Sequence, residues 1–152
     1  QSKMRHVSEN AKVTLVAPSD KFQFENGKII VWTVPAYNTD KPVHSREEDW
    51  VGYILNFDGT QVYHAGDTDF IPEMKRMQGL DIALLPIGGT YTMNGGEAAT
   101  AAKIINPKLA IPMHYGSISG EGEDVKAFTK FCSGEGVETK VLEKEDVMGA
   151  IE

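Results

Sequence analysis

Two carboxylates, a hydroxyl and an imidazole meet in one short stretch, Tyr63-His64-Ala65-Gly66-Asp67-Thr68-Asp69. The apolar run Gln61-Val62-Tyr63 reads as a strand that empties into a glycine turn, and such strand ends are where open α/β sheets bind ligands. Asp67 is therefore the first candidate for chemistry. Two further junctions repeat the design of apolar strand, small residues, then polar groups: Gly88-Gly89-Thr90 and His114-Tyr115-Gly116. If neighbouring parallel strands carry them, all three converge on one edge. Carboxylate with imidazole is a ligand set for zinc, manganese or iron, and no thiolate is at hand to soften it. Without a metal the same groups can act as an acid and base pair.

Each of these residues also has a plain structural reading. Asp67 could simply accept the N–H groups of its own turn, as aspartate commonly does. His114 could be a hydrogen-bonded core histidine between Met113 and Tyr115. His64 sits inside a strand and reads as structural, His44 lies in a loop, and His6 reads as solvated. Cys132 falls on the apolar face of a helix, where a thiol behaves as a small hydrophobe.

The elements that must position these groups are legible from periodicity. Lys12 to Ala17 reads as a strand stopped by Pro18. Phe22 and Phe24 alternate with polar residues, Asn26-Gly27 signals a hairpin, and Lys28 to Val34 follows as a strand. A polar stretch from Ala36 to Asp49 is long enough to suggest function, not mere connection. Trp50 to Phe57 and the strand before Asp67 are joined by Asp58-Gly59, completing an antiparallel meander. Beyond Asp69, Pro72 opens a helical segment with Met74 and Met77 three apart. Leu80 to Ile87 reads as a buried strand. Asn94 and Glu97 form a capping-box pattern for a helix to Ile105. Leu109 to Met113 is a strand, Val125 to Cys132 a helix, and Val137 to Leu142 a last short strand. The pattern is a β-meander followed by β-α-β-α-β, an α+β arrangement of stacked layers.

The totals narrow the function classes. A chain of 152 residues is long enough for one domain with a real core, here taken as residues 1–152. Its net charge of -7 repels phosphate backbones and anionic membranes, which argues against nucleic-acid and membrane partners and for a small-molecule substrate. One cysteine allows no internal disulfide. With no membrane-length apolar run and no signal-peptide pattern, the expected compartment is cytoplasmic. Gln1-Ser2-Lys3 precede Met4, so either Met4 is the start or residues upstream are absent.

Taken together, Tyr63-His64-Ala65-Gly66-Asp67-Thr68-Asp69-Phe70, Leu84-Leu85-Pro86-Ile87-Gly88-Gly89-Thr90-Tyr91-Thr92-Met93 and Ile111-Pro112-Met113-His114-Tyr115-Gly116 resemble the metallo-β-lactamase superfamily. The branch resembled is that of metal-dependent hydrolases similar to ascorbate-6-phosphate lactonase, and the likeness runs from Val13 to about Leu142. It implies an αββα sandwich with one or two divalent ions (zinc, or manganese or iron) at one edge, and water activated there to attack a small ester, lactone or phosphoester. It implies Asp67 and His114 as metal ligands and catalytic residues. In many relatives a ligand histidine follows the Val-Pro-Ala strand end. This chain has Asn38 there, and His44, six residues on, is the candidate substitute as ligand or substrate contact. Asn38, Thr90, Tyr91 and Tyr115 are the implied substrate contacts.

The family's His-x-His-x-Asp-His signature is not found in the chain. The resemblance therefore implies the C-terminal two-thirds of such an enzyme, a sandwich incomplete at its N-terminus, with the missing motif either lost by truncation or proteolysis or supplied by a companion chain or a second copy. The alternative is a catalytically incompetent fragment, or an association module of the same fold.

Overall fold

The computed structural model describes residues 12–116 and 122–142. His6 and the Gly/Ser-rich stretch after Gly116 lie wholly or mostly outside the described residues. Period-two alternation and two turn signals fold the first half into antiparallel strands: β1 (Lys21–Phe24), β2 (Ile29–Pro35), β3 (Val51–Phe57) and β4 (Thr60–His64). Asp58 and Gly59 both take positive φ, 51° and 95°, as the tight β3–β4 hairpin demands. The second half adds β5 (Ile82–Pro86) and β6 (Leu109–Met113) in parallel. The result is one six-stranded sheet in sequential order. Helices α1 (Gly95–Ile105) and α2 (Glu123–Gly134) complete the layers.

Register decides which face is core. Ile54, Tyr63, Ala83 and Ala110 stand opposite one another across β3 to β6, and the last three are completely buried. Small residues on α1 (Ala98, Ala99, Ala101 and Ala102) let that helix approach the sheet closely, and Phe128 and Cys132 of α2 are buried in the same core cluster. Burial pushes the Cys132 thiol up to about 11, which makes it a packing group and not a nucleophile. The opposite row, Phe22, Val31, Leu55, Val62, Ile82 and Leu109, crosses all six strands. Every member of it is only partly buried, and Phe24, Tyr53 and Phe57 beside it are exposed.

Three expected elements differ. Residues 12–17 form no strand: Pro18 offers no N–H, and the side chains of Thr33 and Asp20 occupy the backbone groups of Ala17 that a ladder would use. Residues 137–142 form no strand and make one bridge, Thr139 to Ala110; Val137 is buried in the core while Val141 and Leu142 are exposed. The Pro72 helix is a short 3-10 segment, Pro72–Arg76. Met74 within it and Met77, which ends it with φ of -89° and ψ of 83°, are both buried in the core. No helix among the described residues is long and apolar enough to cross a membrane.

The two glycines that open α1 make a matched test of packing. A Cβ on Gly95 would lie 2.2 Å from the Asp124 carbonyl oxygen, whereas one on Gly96 would meet nothing closer than 3.4 Å. Gly95→Ala is expected to cost about 1–3 kcal/mol through overpacking. Gly96→Ala is expected to gain about 0.5–1 kcal/mol of helix propensity. Urea denaturation of both variants checks the pair.

Candidate functional site

Parallel pairing brings the ends of β4, β5 and β6 to one edge. Ala65 N–H extends the ladder by donating to Leu84 O at 3.1 Å. The chain then turns at Gly66, whose φ of +70° strains any L side chain and where a Cβ would lie 3.0 Å from Val51 O. That turn carries Asp67 beyond the sheet. Its neighbours are spent on structure. The buried Thr68 hydroxyl accepts from Tyr37 N–H at 3.1 Å and reaches Asp69 O at 2.9 Å. His64 Nδ1 accepts from Gly66 N–H at 3.2 Å, so that imidazole caps the turn.

His114 follows β6 in the left-handed region, with φ of +56°. Its position depends on Gly88 at the end of β5, where a Cβ would sit 2.7 Å from His114 O and 3.3 Å from Nδ1. With both turns in place, Asp67 Oδ1 stands 3.6 Å from His114 Nε2, and the two side chains are 32% and 53% exposed. The gap is too long for a hydrogen bond.

The long polar stretch forms the adjoining wall. Asn38 is 5% exposed, and its amide Nδ2 donates to Val43 O at 2.9 Å and Tyr91 O at 3.1 Å. Asn38 thus ties the loop after β2 to the loop after β5. Its backbone N–H donates to His44 O at 2.8 Å. The His44 ring packs against Trp50 at a tilt of 37°, with centroids 4.2 Å apart. Both Asn38 Oδ1 and His44 Nδ1 are buried and have no hydrogen-bond partner among the described residues.

The structure thus brings Asp67 to His114, and Asn38 to Tyr91 and His44. Thr90 and Tyr91 are exposed at the end of β5. Tyr115, half-buried, packs against the core. Reading the sequence for chemistry passed over Lys41, Glu73 and Arg46, and left the second carboxylate of the motif, Asp69, without a role. That carboxylate is buried and accepts from Thr39 and Lys41. The signal available was Asp69's own position two residues after Asp67, in the same motif as that carboxylate.

Whether these groups suit a divalent ion can be judged from donor chemistry and spacing. Two donors bound to one tetrahedral zinc at usual bond lengths lie about 3.4 Å apart, close to the observed 3.6 Å. Carboxylate oxygen and imidazole nitrogen are appropriate donor types. Asp67 and His114 therefore fit as two ligands of one ion. Among the described residues no group of three or more His, Cys, Asp or Glu side chains is close enough to hold a metal, so the pair does not close a site by itself.

Comparison with known proteins adds the following. The β-lactamase superfamily domain matches residues 2–114. A metal-dependent hydrolase of Thermococcus onnurineus is 34% identical over 119 residues, 76% of this chain and 53% of that one. One from Thermus thermophilus is 33% identical over 130 residues, 84% of this chain and 57% of its own. A crystal structure from Parabacteroides distasonis, 36% identical, superposes with a TM-score of 0.72 over 86% of this chain and 57% of that one. A metallo hydrolase from Ignicoccus hospitalis, 27% identical, gives 0.65 over 84% and 56%. The chain spans just over half the length of these relatives.

The contact between Gly88 and His114 is the most sensitive point of this edge. Gly88→Ala is expected to displace His114 and to cost about 1–3 kcal/mol of stability. Thermal denaturation, together with the NMR resonances of the His114 ring, checks both effects.

Proposed function

This chain belongs to the metallo-β-lactamase superfamily, and we propose that it carries part of the active edge of a metal-dependent hydrolase acting on a small ester, lactone or phosphoester. The observation that supports this most is the spacing of Asp67 and His114 at the common end of β4 and β6. Asp67 and His114 would hold one divalent ion, zinc in first place and manganese or iron in second, with His44 as a further donor or substrate contact. A divalent ion in such a site lowers the pKa of bound water toward neutrality and polarises a carbonyl or phosphoryl oxygen. The chain's own residues supply the setting. Gly66 and Gly88 hold the two donors at the sheet edge, and Asn38, Thr90, Tyr91 and Tyr115 form the substrate wall. The net charge of -7 and single cysteine support a small-molecule substrate and a cytoplasmic setting over nucleic acid or membrane.

A second reading is favoured by a separate observation, the partly buried apolar row from Phe22 to Leu109 on the face opposite the helices. Six strands at ordinary spacing and length present roughly 500–650 Å² of flat sheet, approaching the area that each partner of a stable complex covers. We propose that the 152-residue chain on its own pairs through this face with a second copy, as an association module.

One preparation tests both readings: protein purified without chelators or a metal-affinity tag, analysed by elemental mass spectrometry and by light scattering. Near-stoichiometric zinc, manganese or iron that is lost in Asp67→Ala and in His114→Ala supports the metal centre and justifies screening ester, lactone and phosphoester substrates. Metal content unchanged by either substitution contradicts it. A metal-free dimer that Leu55→Lys dissociates supports the association module, and a metal-loaded monomer excludes that module.

A further inference from the structure

A short path of contacts links the two donors at the sheet edge, and Thr68 stands in the middle of it. Asp67 is one peptide bond away. On the other side, Thr68 O accepts from Met93 N–H at 3.2 Å, and Met93 O accepts from Gly89 N–H at 3.0 Å, which draws residues 89–93 into one closed loop. Gly88, next in line, is the residue against which His114 rests: a Cβ there would lie 2.7 Å from His114 O and 3.3 Å from its Nδ1. The same loop is tied a second time, by Asn38 Nδ2 donating to Tyr91 O at 3.1 Å.

Thr68 is itself held from several directions. Its side chain is completely buried. The hydroxyl accepts from Tyr37 N–H at 3.1 Å, and its one proton can go to Asp69 O at 2.9 Å or to Tyr37 O at 3.1 Å. Asp69 N–H donates to Tyr37 O at 3.0 Å as well. Tyr37 is braced in turn, because Glu73 accepts from its hydroxyl at 3.0 Å and from Arg46 at 3.1 Å. Burial first, and the bond to Glu73 second, raise the Tyr37 pKa, so this phenol remains a donor at neutral pH. Asp69 fastens Thr39 and Lys41 of the same loop. Gly66 lets the backbone enter the turn at φ of +70°, and the bonds at Thr68 fix where it leaves. The exposed Asp67 is caught between the two.

We propose that Thr68 is a positioning residue. Locked onto Tyr37 through its hydroxyl, it aims its own carbonyl at Met93 and so holds the Asp67 turn and the loop beside His114 in one arrangement. That arrangement sets the distance between Asp67 Oδ1 and His114 Nε2. Its consequence for a divalent ion rests on reading this edge as a metal centre, whereas the placement of the two side chains does not.

The test compares three variants, with folding checked by circular dichroism. Thr68→Val keeps the branched shape but deprives the buried Tyr37 N–H of this acceptor. Thr68→Ser, the conservative variant, retains the hydroxyl. Thr33→Val is the control: Thr33 is also buried and its hydroxyl also accepts from backbone, Asp20 N–H at 2.8 Å, but it lies beside β1, the strand farthest from β6 in the sheet. Two quantities are read: the imidazole NMR resonances of His114 in metal-free protein, and zinc affinity by chelator competition. Thr68→Val is expected to shift the resonances and to weaken zinc binding by about 10–100-fold, the span typical of partners lying behind a metal's own ligands. Thr68→Ser and Thr33→Val are expected to keep both near the parent values. A folded Thr68→Val with the parent's His114 resonances would overturn the proposal, as would a Thr68→Ser or Thr33→Val that matches Thr68→Val in both quantities. Should Thr68→Val fail to fold, amide exchange in the parent decides: Met93 and Gly89 amides that exchange as fast as exposed loop amides would overturn the proposal, and slow exchange at both sustains it. A parent protein that binds no zinc would refute the metal centre, and Thr68 would then be judged on the His114 resonances alone.

Discussion

Everything at the candidate site depends on the switch from antiparallel to parallel pairing at β4. An antiparallel neighbour would point its end the other way and carry its loop to the opposite edge. Because β5 and β6 run parallel to β4, three loops leave the sheet in the same direction, and Asp67, Gly88 and His114 become neighbours although they are far apart in sequence. The switch is enforced by connection length. Asp58-Gly59 allows only a hairpin, whereas the segment through Pro72–Arg76 and helix α1 provide the crossovers that parallel pairing needs.

The edge so formed contains groups in unequal states. Asp67 and His114 are half open to solvent, while Asp69, Thr68 and Asn38 beside them are buried and hydrogen-bonded. Asp69 and Thr68 thus spend their hydrogen bonds on holding the loops, while Asn38 Oδ1 is buried with no partner among the described residues. Close backbone approach contributes as much as the side chains do. Gly88 sits where any Cβ would strike His114, and Gly66 takes a left-handed turn, φ +70°, pressed close to Val51.

Much of this was legible in the sequence, for physical reasons that differ by element. The two hairpin signals, the capping box at Asn94 and the apolar run through Leu85 were read correctly, because local chemistry determines each of them. Convergence of Asp67 and His114 was also legible, since strand-then-glycine junctions on parallel strands leave little choice of edge. Local reading failed where tertiary hydrogen bonds decided. Residues 12–17 have strand composition, yet Thr33 and Asp20 take up the backbone groups at Ala17. Val137 to Leu142 has strand composition but makes one bridge only. The roles of Lys41, Glu73 and Arg46 were invisible because they depend on pairings across nearly thirty residues of chain. No periodicity reports such contacts.

The central claim is that Asp67 and His114 are two ligands of one divalent ion. Crystals grown with zinc, and with manganese in parallel, would test it through anomalous scattering recorded at each metal's absorption edge. The account predicts a peak lying between Asp67 Oδ1 and His114 Nε2 at bonding distance from both, roughly 2.0–2.2 Å for zinc. A map with no peak there at full metal occupancy elsewhere, or with His114 Nε2 hydrogen-bonded directly to Asp67, would contradict it.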